Sequence, residues 1–285
     1  MAKRTPAFAA ALAAWLIPIG QGAHAQDLAK YPDWSGQWKR PPGVGIQWDQ
    51  TRPLGLPQRA PLTPEYQALF ERGVKDQEEG GQGTDPRFTC IPNGMPRIMS
   101  VIFPMEIVPL PKITYMLFEY DIPRRIYTDG RDFPADQEPT FMGYSIGRWI
   151  DEAHDGRFNM LEVETRNMKG PRTYETTGLP LAKDNLTIVK ERIYLDRNDP
   201  DLLHDEITTI DHALTRPWSV TKNYRREHGN VVWVENVCNE YNPHVAIQNQ
   251  LYYLSADGYL MPAKKDQPPP DLRYFKQRRL SPDSK

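Results

Sequence analysis

The eight residues 124–131, RRIYTDGR, place three arginines, a tyrosine and an aspartate within one short stretch. Arginine holds an anionic or carbonyl oxygen through paired N–H donors, and tyrosine donates a hydrogen bond or serves as a general acid. In an extended strand alternate side chains share a face. Arg125, Tyr127 and Asp129 therefore point one way, and Arg124, Ile126 and Thr128 the other. Asp129-Gly130 also fits the centre of a tight hairpin turn, where both residues need positive φ. Two readings follow. In one, Asp129 is turn chemistry and the arginines are solvated shoulders. In the other, Arg125 and Tyr127 face a cavity with Asp129 or Arg131 at its rim.

The same alternation recurs downstream. Glu162, Glu164 and Arg166 share a face, as do Lys190, Arg192 and Tyr194, and His204, Glu206 and Thr208. Arg216, Trp218, Lys222 and Tyr224 form a further set, with Arg216 placed to pair a carboxylate and Trp218 to line a wall. Such faces are either charged ladders in solvent or the wall of a polar lumen. The candidate ligand-binding residues are Arg125, Tyr127, Arg131, Arg192, Arg216 and Trp218. The candidate catalytic residues are Tyr127, Asp129 and Glu164. The six histidines show no metal-ligand spacing, so no metal site is expected, and no cofactor fingerprint appears. GYSIG (143–147) matches the serine-hydrolase string, but Ser145 lies within a β run rather than at a strand-to-helix elbow.

These residues need strands to position them. From about 97 to 240 the chain offers RIMSVIF, MEIVPL, ITYMLFEY, RRIYTDGR, GYSIGRWI, NMLEVETR, LTIVKERIYL, LLHDEITTI, WSVTKNYRRE and NVVWVENVC, separated by turn residues. About ten strands with little helix between them predict a mainly β fold, an antiparallel barrel or alternatively a β-sandwich. One helix is expected over 63–77, where Thr63 caps, Pro64 opens, and Tyr66, Leu69, Phe70 and Val74 recur at helical spacing. Residues 26–62, rich in Pro, Gly and Trp, read as an extended arm in which some of Trp34, Trp38 and Trp48 dock on the body. Residues 63–262 form a single β domain, 241–262 holding a short helix or terminal strand, and 263–285 a flexible tail.

Residues 1–25 have the layout of a secretory signal: Lys3 and Arg4, an apolar run of 13 residues from Ala7 to Ile19, and a small-residue cleavage site near Ala25. The run is shorter than the roughly 20 residues a membrane span needs. Cleavage would move the net charge from −2 to −4, which excludes the strongly basic face of a nucleic-acid binder. Cys90 and Cys238 are the only cysteines, and in an exported protein such a pair reads as one disulfide.

The strings DWSGQW, CIPNGMPR, RRIYTDGR, GYSIGRW, VET, KERI and ALTRPW, in that order, resemble a group of exported bacterial proteins of uncharacterised function. The resemblance spans about Asp33 to Glu240. Relatives often carry one histidine in or just after the Asp-Gly-Arg turn and another before the serine of the GYS stretch. Here those places hold Asp132, Phe133 and Tyr144. Gly36-x-Trp38 is similar to the opening of lipocalin barrels, which favours a lipocalin-like barrel. The expectation is an exported, periplasmic or secreted protein binding a small, partly apolar and possibly aromatic ligand in a barrel cavity lined by Arg and Tyr or Trp. The alternatives are a cofactor-free lyase, isomerase or hydrolase, and a structural envelope protein without a pocket.

Overall fold

The computed structural model describes residues 28–41, 49, 59–81, 83–100, 103–170, 173–174, 178–238, 242–248 and 250–272. Nine strands wrap into a closed barrel in sequence order: β1 (Gln37–Lys39), β2 (Met105–Leu110), β3 (Ile113–Phe118), β4 (Arg124–Tyr127), β5 (Tyr144–Ile150), β6 (Met160–Arg166), β7 (Ile188–Leu195), β8 (Leu202–Ile210) and β9 (Trp218–Glu227). The strand pleat decides what faces inward. In β8 every second residue, Leu203, Asp205, Ile207 and Thr209, is buried, and the residues between them reach solvent. The neighbouring strands repeat the pattern, and their inward residues merge into one core with Trp38, Met105, Met116, Ile126, Leu161, Val163 and Ile193.

Two departures from the expected meander bear on the site. β4 and β5 run parallel, Ile126 beside Ser145, whereas all other barrel neighbours are antiparallel. Asp129-Gly130 is therefore not a two-residue hairpin. It begins the long connection, residues 128–143, that a parallel neighbour requires. The N-terminal arm also does more than lie on the body. Its residues 37–39 are β1, which pairs with β2 on one side and β9 on the other and closes the cylinder.

That closure explains why residues 230–238 form no strand despite their β-rich composition. β9 already has β8 and β1 as partners, so it offers no free edge. Residues 97–100 also differ from the strand expected over 97–103. Arg97–Ser100 form a buried 3-10 turn after Pro96, drawn inward by pairing of Arg97 with Asp85 and a 2.8 Å bond to Thr173. The expected helix is α1 (Pro64–Glu78), with the Thr63 hydroxyl accepting from the Tyr66 N–H. Beyond the barrel, β10 (His244–Ile247), β11 (Gln250–Leu254) and β12 (Leu260–Pro262) make a separate antiparallel sheet. The first part of the expected tail is docked on that sheet, Gln267 Nε2 donating to the Leu251 carbonyl at 2.8 Å. The leader, Trp48 and residues 273–285 lie outside the described residues.

Trp34 and Trp38 are both fully buried, and the Trp38 indole N–H donates to the Trp34 carbonyl at 3.0 Å. Tyr31 and Trp34 pack on Trp149 with ring centroids 5.1 and 5.0 Å apart. Among the described residues no helix is long and apolar enough to cross a membrane.

Cys90 and Cys238 form a disulfide, with Cα atoms 5.7 Å apart and a sequence separation of 148. It ties the segment before the buried 3-10 turn to the chain leaving β9. Closing so long a loop restricts the unfolded chain by up to about 4–5 kcal/mol. The double variant Cys90→Ser/Cys238→Ser should therefore unfold at a clearly lower urea midpoint than the oxidised protein, and an unchanged midpoint would contradict this.

Candidate functional site

The barrel lumen carries a layer of charge. Arg124 on β4 is 1% exposed and reaches across to Glu191 on β7, itself 2% exposed. The guanidinium meets the carboxylate with both terminal nitrogens, Nη1 donating to Oε1 at 2.8 Å and Nη2 to Oε2. Nε donates to Ser145 Oγ at 3.3 Å and Nη2 to Thr165 Oγ1 at 2.9 Å, and those two hydroxyls lie 2.8 Å from each other. One side chain thereby joins β4, β5, β6 and β7 through the interior. A bidentate pair of this kind is the geometry in which arginine can be buried at tolerable cost.

Asp205 on β8 and Lys222 on β9 complete the layer. They occupy directly opposed register positions, and both are buried. Asp205 is 0% exposed, and neither of its carboxylate oxygens has a hydrogen-bond partner among the described residues. Burial, aided by repulsion from Glu191, pushes its pKa well above the usual carboxylate range, against the pull of Arg124 and Lys222. Beside it on β9, Tyr224 is buried and donates its hydroxyl to the Met99 carbonyl of the inserted 3-10 turn at 2.5 Å. Burial raises the Tyr224 pKa as well, so the phenol stays protonated. A protonated carboxyl at Asp205 would donate a hydrogen bond or a proton; an ionised one would accept two donors.

The residues singled out from sequence are placed differently. Arg125 lies on the outer face and is exposed. Arg192 is also outside, bonded at 3.1 Å to both Glu206 and Glu152. The expected meeting of Arg125, Tyr127 and Arg192 inside the barrel does not occur, because β4 turns Arg124 and Ile126 inward instead. Arg216 is exposed and donates to its neighbour, the Pro217 carbonyl, at 3.4 Å. Trp218 does face inward, with its ring 4.7 Å from that of Tyr174. Glu164 is paired on the outer face with Arg166 and Lys190.

Tyr127, Asp129 and Arg131 do come together, at the surface. The Arg131 guanidinium sits 4.0 Å from the Tyr127 ring centroid, and Nη1 donates to Tyr144 Oη at 3.2 Å. Tyr127 and Tyr144 stack at 4.9 Å, with Phe133 6.1 Å from Tyr144. Phe133 and Tyr144 are thus neighbours in space. The Arg131 side chain bonds Asp129 through Nε at 2.8 Å and holds its pKa down to about 2. Asp129 is therefore an ionised partner of Arg131, a poor proton donor at neutral pH.

A cavity of 730 Å³ lies on the outer wall of β5–β9, edged by Arg148, Glu164, Lys190, Arg192, Glu206 and the buried Asp49 of the arm. Its charges largely satisfy one another, as in Arg148–Glu162 at 2.8 Å and Lys190–Glu164 at 3.5 Å. No family model, curated protein or solved structure matches this chain. Its own geometry carries the functional argument, and that geometry favours the lumenal layer.

The lumenal layer left a trace in the sequence. Glu191 stands between Val189 and Ile193, Asp205 between Leu203 and Ile207, and Lys222 between Val220 and Tyr224. Each is a charge at an inward position of a strand whose inward neighbours are otherwise apolar or aromatic.

Two measurements test the layer. Removing one partner of a buried pair typically costs 3–5 kcal/mol, whereas surface changes stay within about 0.5. Arg124→Met should therefore lower the unfolding free energy by about 3 kcal/mol or more, and Arg125→Ala by no more than about 0.5; equal effects would refute the inward register of Arg124. The second concerns pH. With its folded-state pKa above the ordinary 3.8, Asp205 binds its proton more tightly in the folded chain. Its favourable contribution is complete below about pH 4 and is lost as pH rises toward the folded value. The unfolding free energy of the native protein should fall relative to Asp205→Asn as pH rises above about 4, and a rise would contradict the assignment.

Proposed function

We propose that the barrel holds a small, partly apolar molecule whose polar end meets the Arg124–Glu191–Asp205–Lys222 layer. The observation that carries this reading is Asp205: fully buried, with both oxygens lacking partners among the described residues. Buried polar atoms are almost always hydrogen-bonded, and a lone unsatisfied carboxylate is costly without a compensating role. Trp38, Trp218, Tyr224 and the aliphatic side chains of the core supply the apolar surroundings. The proposal includes export, supported by the signal-like leader and by the Cys90–Cys238 bond, a linkage that persists in oxidising compartments.

A second reading is cofactor-free acid–base catalysis on such a molecule. It is favoured by the burial of Asp205, which raises its carboxyl pKa and so favours the protonated form, the form that can give up a proton. The bound molecule would have to present a carbonyl or hydroxyl oxygen to that carboxyl.

The experiment is organic extraction of the purified, disulfide-intact protein followed by mass spectrometry, alongside Asp205→Asn. A stoichiometric small molecule that falls at least about tenfold in occupancy in the variant is the expected outcome, the scale of one charged hydrogen bond. An Asp205→Asn protein that carries the same molecule undiminished, or a native protein that carries none while the variant is more stable, would assign the layer to structure alone.

A further inference from the structure

A second set of unsatisfied groups lies apart from the lumenal layer, where β10 meets the disulfide. A cavity of 270 Å³ there is lined by Arg87, Phe88, Tyr120, Asn236, Cys238 and His244, among others. The imidazole of His244 is held between aromatic rings, 5.1 Å from Phe88 edge-on and 4.7 Å from Tyr253. Phe103 stacks on Tyr120 at 4.4 Å, fixing that wall.

The hydrogen bonds assign the His244 tautomer. Asn242 Nδ2 donates to the Phe88 carbonyl at 2.8 Å and to Cys90 Sγ at 3.1 Å, so its other atom, Oδ1, is the acceptor. That Oδ1 accepts from the His244 backbone N–H at 3.1 Å and lies 2.5 Å from His244 Nδ1. Nδ1 must therefore carry the hydrogen, and Nε2 carries the lone pair. Nε2 is buried and has no partner among the described residues. Partial burial also lowers the pKa of the ring, which favours the neutral form.

Arg87 presents the complementary defect. Its terminal nitrogens donate to the Ile91 and Tyr120 carbonyls, both at 3.4 Å, and its guanidinium lies over the Tyr120 ring at 4.3 Å. Its Nε–H, buried, has no acceptor among the described residues. One small cavity is thus edged by a side chain with an unused donor and another with an unused acceptor, between aromatic walls.

A hydroxyl serves both through one atom, since it donates one hydrogen bond while accepting another. The aromatic walls suit a flat ring attached to it. The volume lies just below the range of drug-sized sites, which matches one ring rather than several. We infer that this cavity is a binding site for a single-ring phenol, its O–H donating to His244 Nε2 and its oxygen accepting from Arg87 Nε. The site is independent of the lumenal layer and draws on none of its residues.

The test is a titration of the full, oxidised protein with 4-fluorophenol followed by fluorine NMR, beside 4-fluorotoluene and 4-fluoroanisole. Saturable binding of the phenol is expected, about tenfold or more weaker for the anisole, which keeps the oxygen but lacks the O–H, and weaker still for the toluene. His244→Phe should weaken the phenol by a similar factor, and Asp205→Asn should leave it unchanged. If His244→Phe fails to fold, the anisole comparison on the native protein decides alone. No saturable phenol binding, equal affinity for phenol and anisole, undiminished affinity in a folded His244→Phe, or loss in Asp205→Asn would each overturn the proposal.

Discussion

The lumen-crossing pair of Arg124 and Glu191 is the interaction on which the barrel's interior is organised. It spans β4 to β7 and collects the hydroxyls of β5 and β6 on the way. Taking two such ions out of water costs several kcal/mol each, and only close, multiply bonded geometry offsets that. The neighbouring strands are thereby constrained in register: a one-residue slip of β4 would put Arg125 and Tyr127 inside and leave Glu191 without its cation. The outer-face charges carry no such constraint. Arg192 or Lys190 can exchange a carboxylate partner for water at little cost.

Once that pair is in place, the ionisation of the rest follows. The hydrogen bonds of Arg124 go to Glu191 and the two hydroxyls, so Asp205 feels that cation, like Lys222, only as a nearby charge. Two carboxylates near each other in a dry interior do not both ionise freely, and Asp205 takes the upward shift. The contrast with Asp129 is instructive. At the surface, one arginine drives a carboxyl down to about 2; in the lumen, burial outweighs two cations and drives another up.

Much of the architecture was legible in the chain. Period-two alternation marks β6 to β9 nearly to the residue, and Thr63-Pro64 marks the helix start. What local pattern could not show was which face of RRIYTDGR turns inward. Both faces carry an arginine, and only the distant Glu191 breaks the tie. The fate of residues 97–100 and 230–238 was also hidden, because β composition says nothing about whether a partner edge is free. Cys90 and Cys238 were readable as a pair only through the compartment argument; their approach depends on the whole barrel. The charged inward positions were readable in principle: a charge in the apolar register of a strand is a local rule broken, and such breaks concentrate at sites with another purpose.

The parallel contact of β4 and β5 has a reason that concerns number rather than sequence. Walking once around a closed ring of strands must return to the starting direction, so reversals between neighbours have to be even in count. Nine strands make nine neighbour contacts, and nine is odd, so at least one contact must preserve direction. Here it is β4 beside β5, and the chain has to travel back along the barrel between them. The stretch that makes this return journey, residues 128–143, carries Asp129, Arg131 and Phe133 to the side of Tyr144. The arginine–aromatic cluster on the surface is thus assembled on a connection that the parity of the barrel demands.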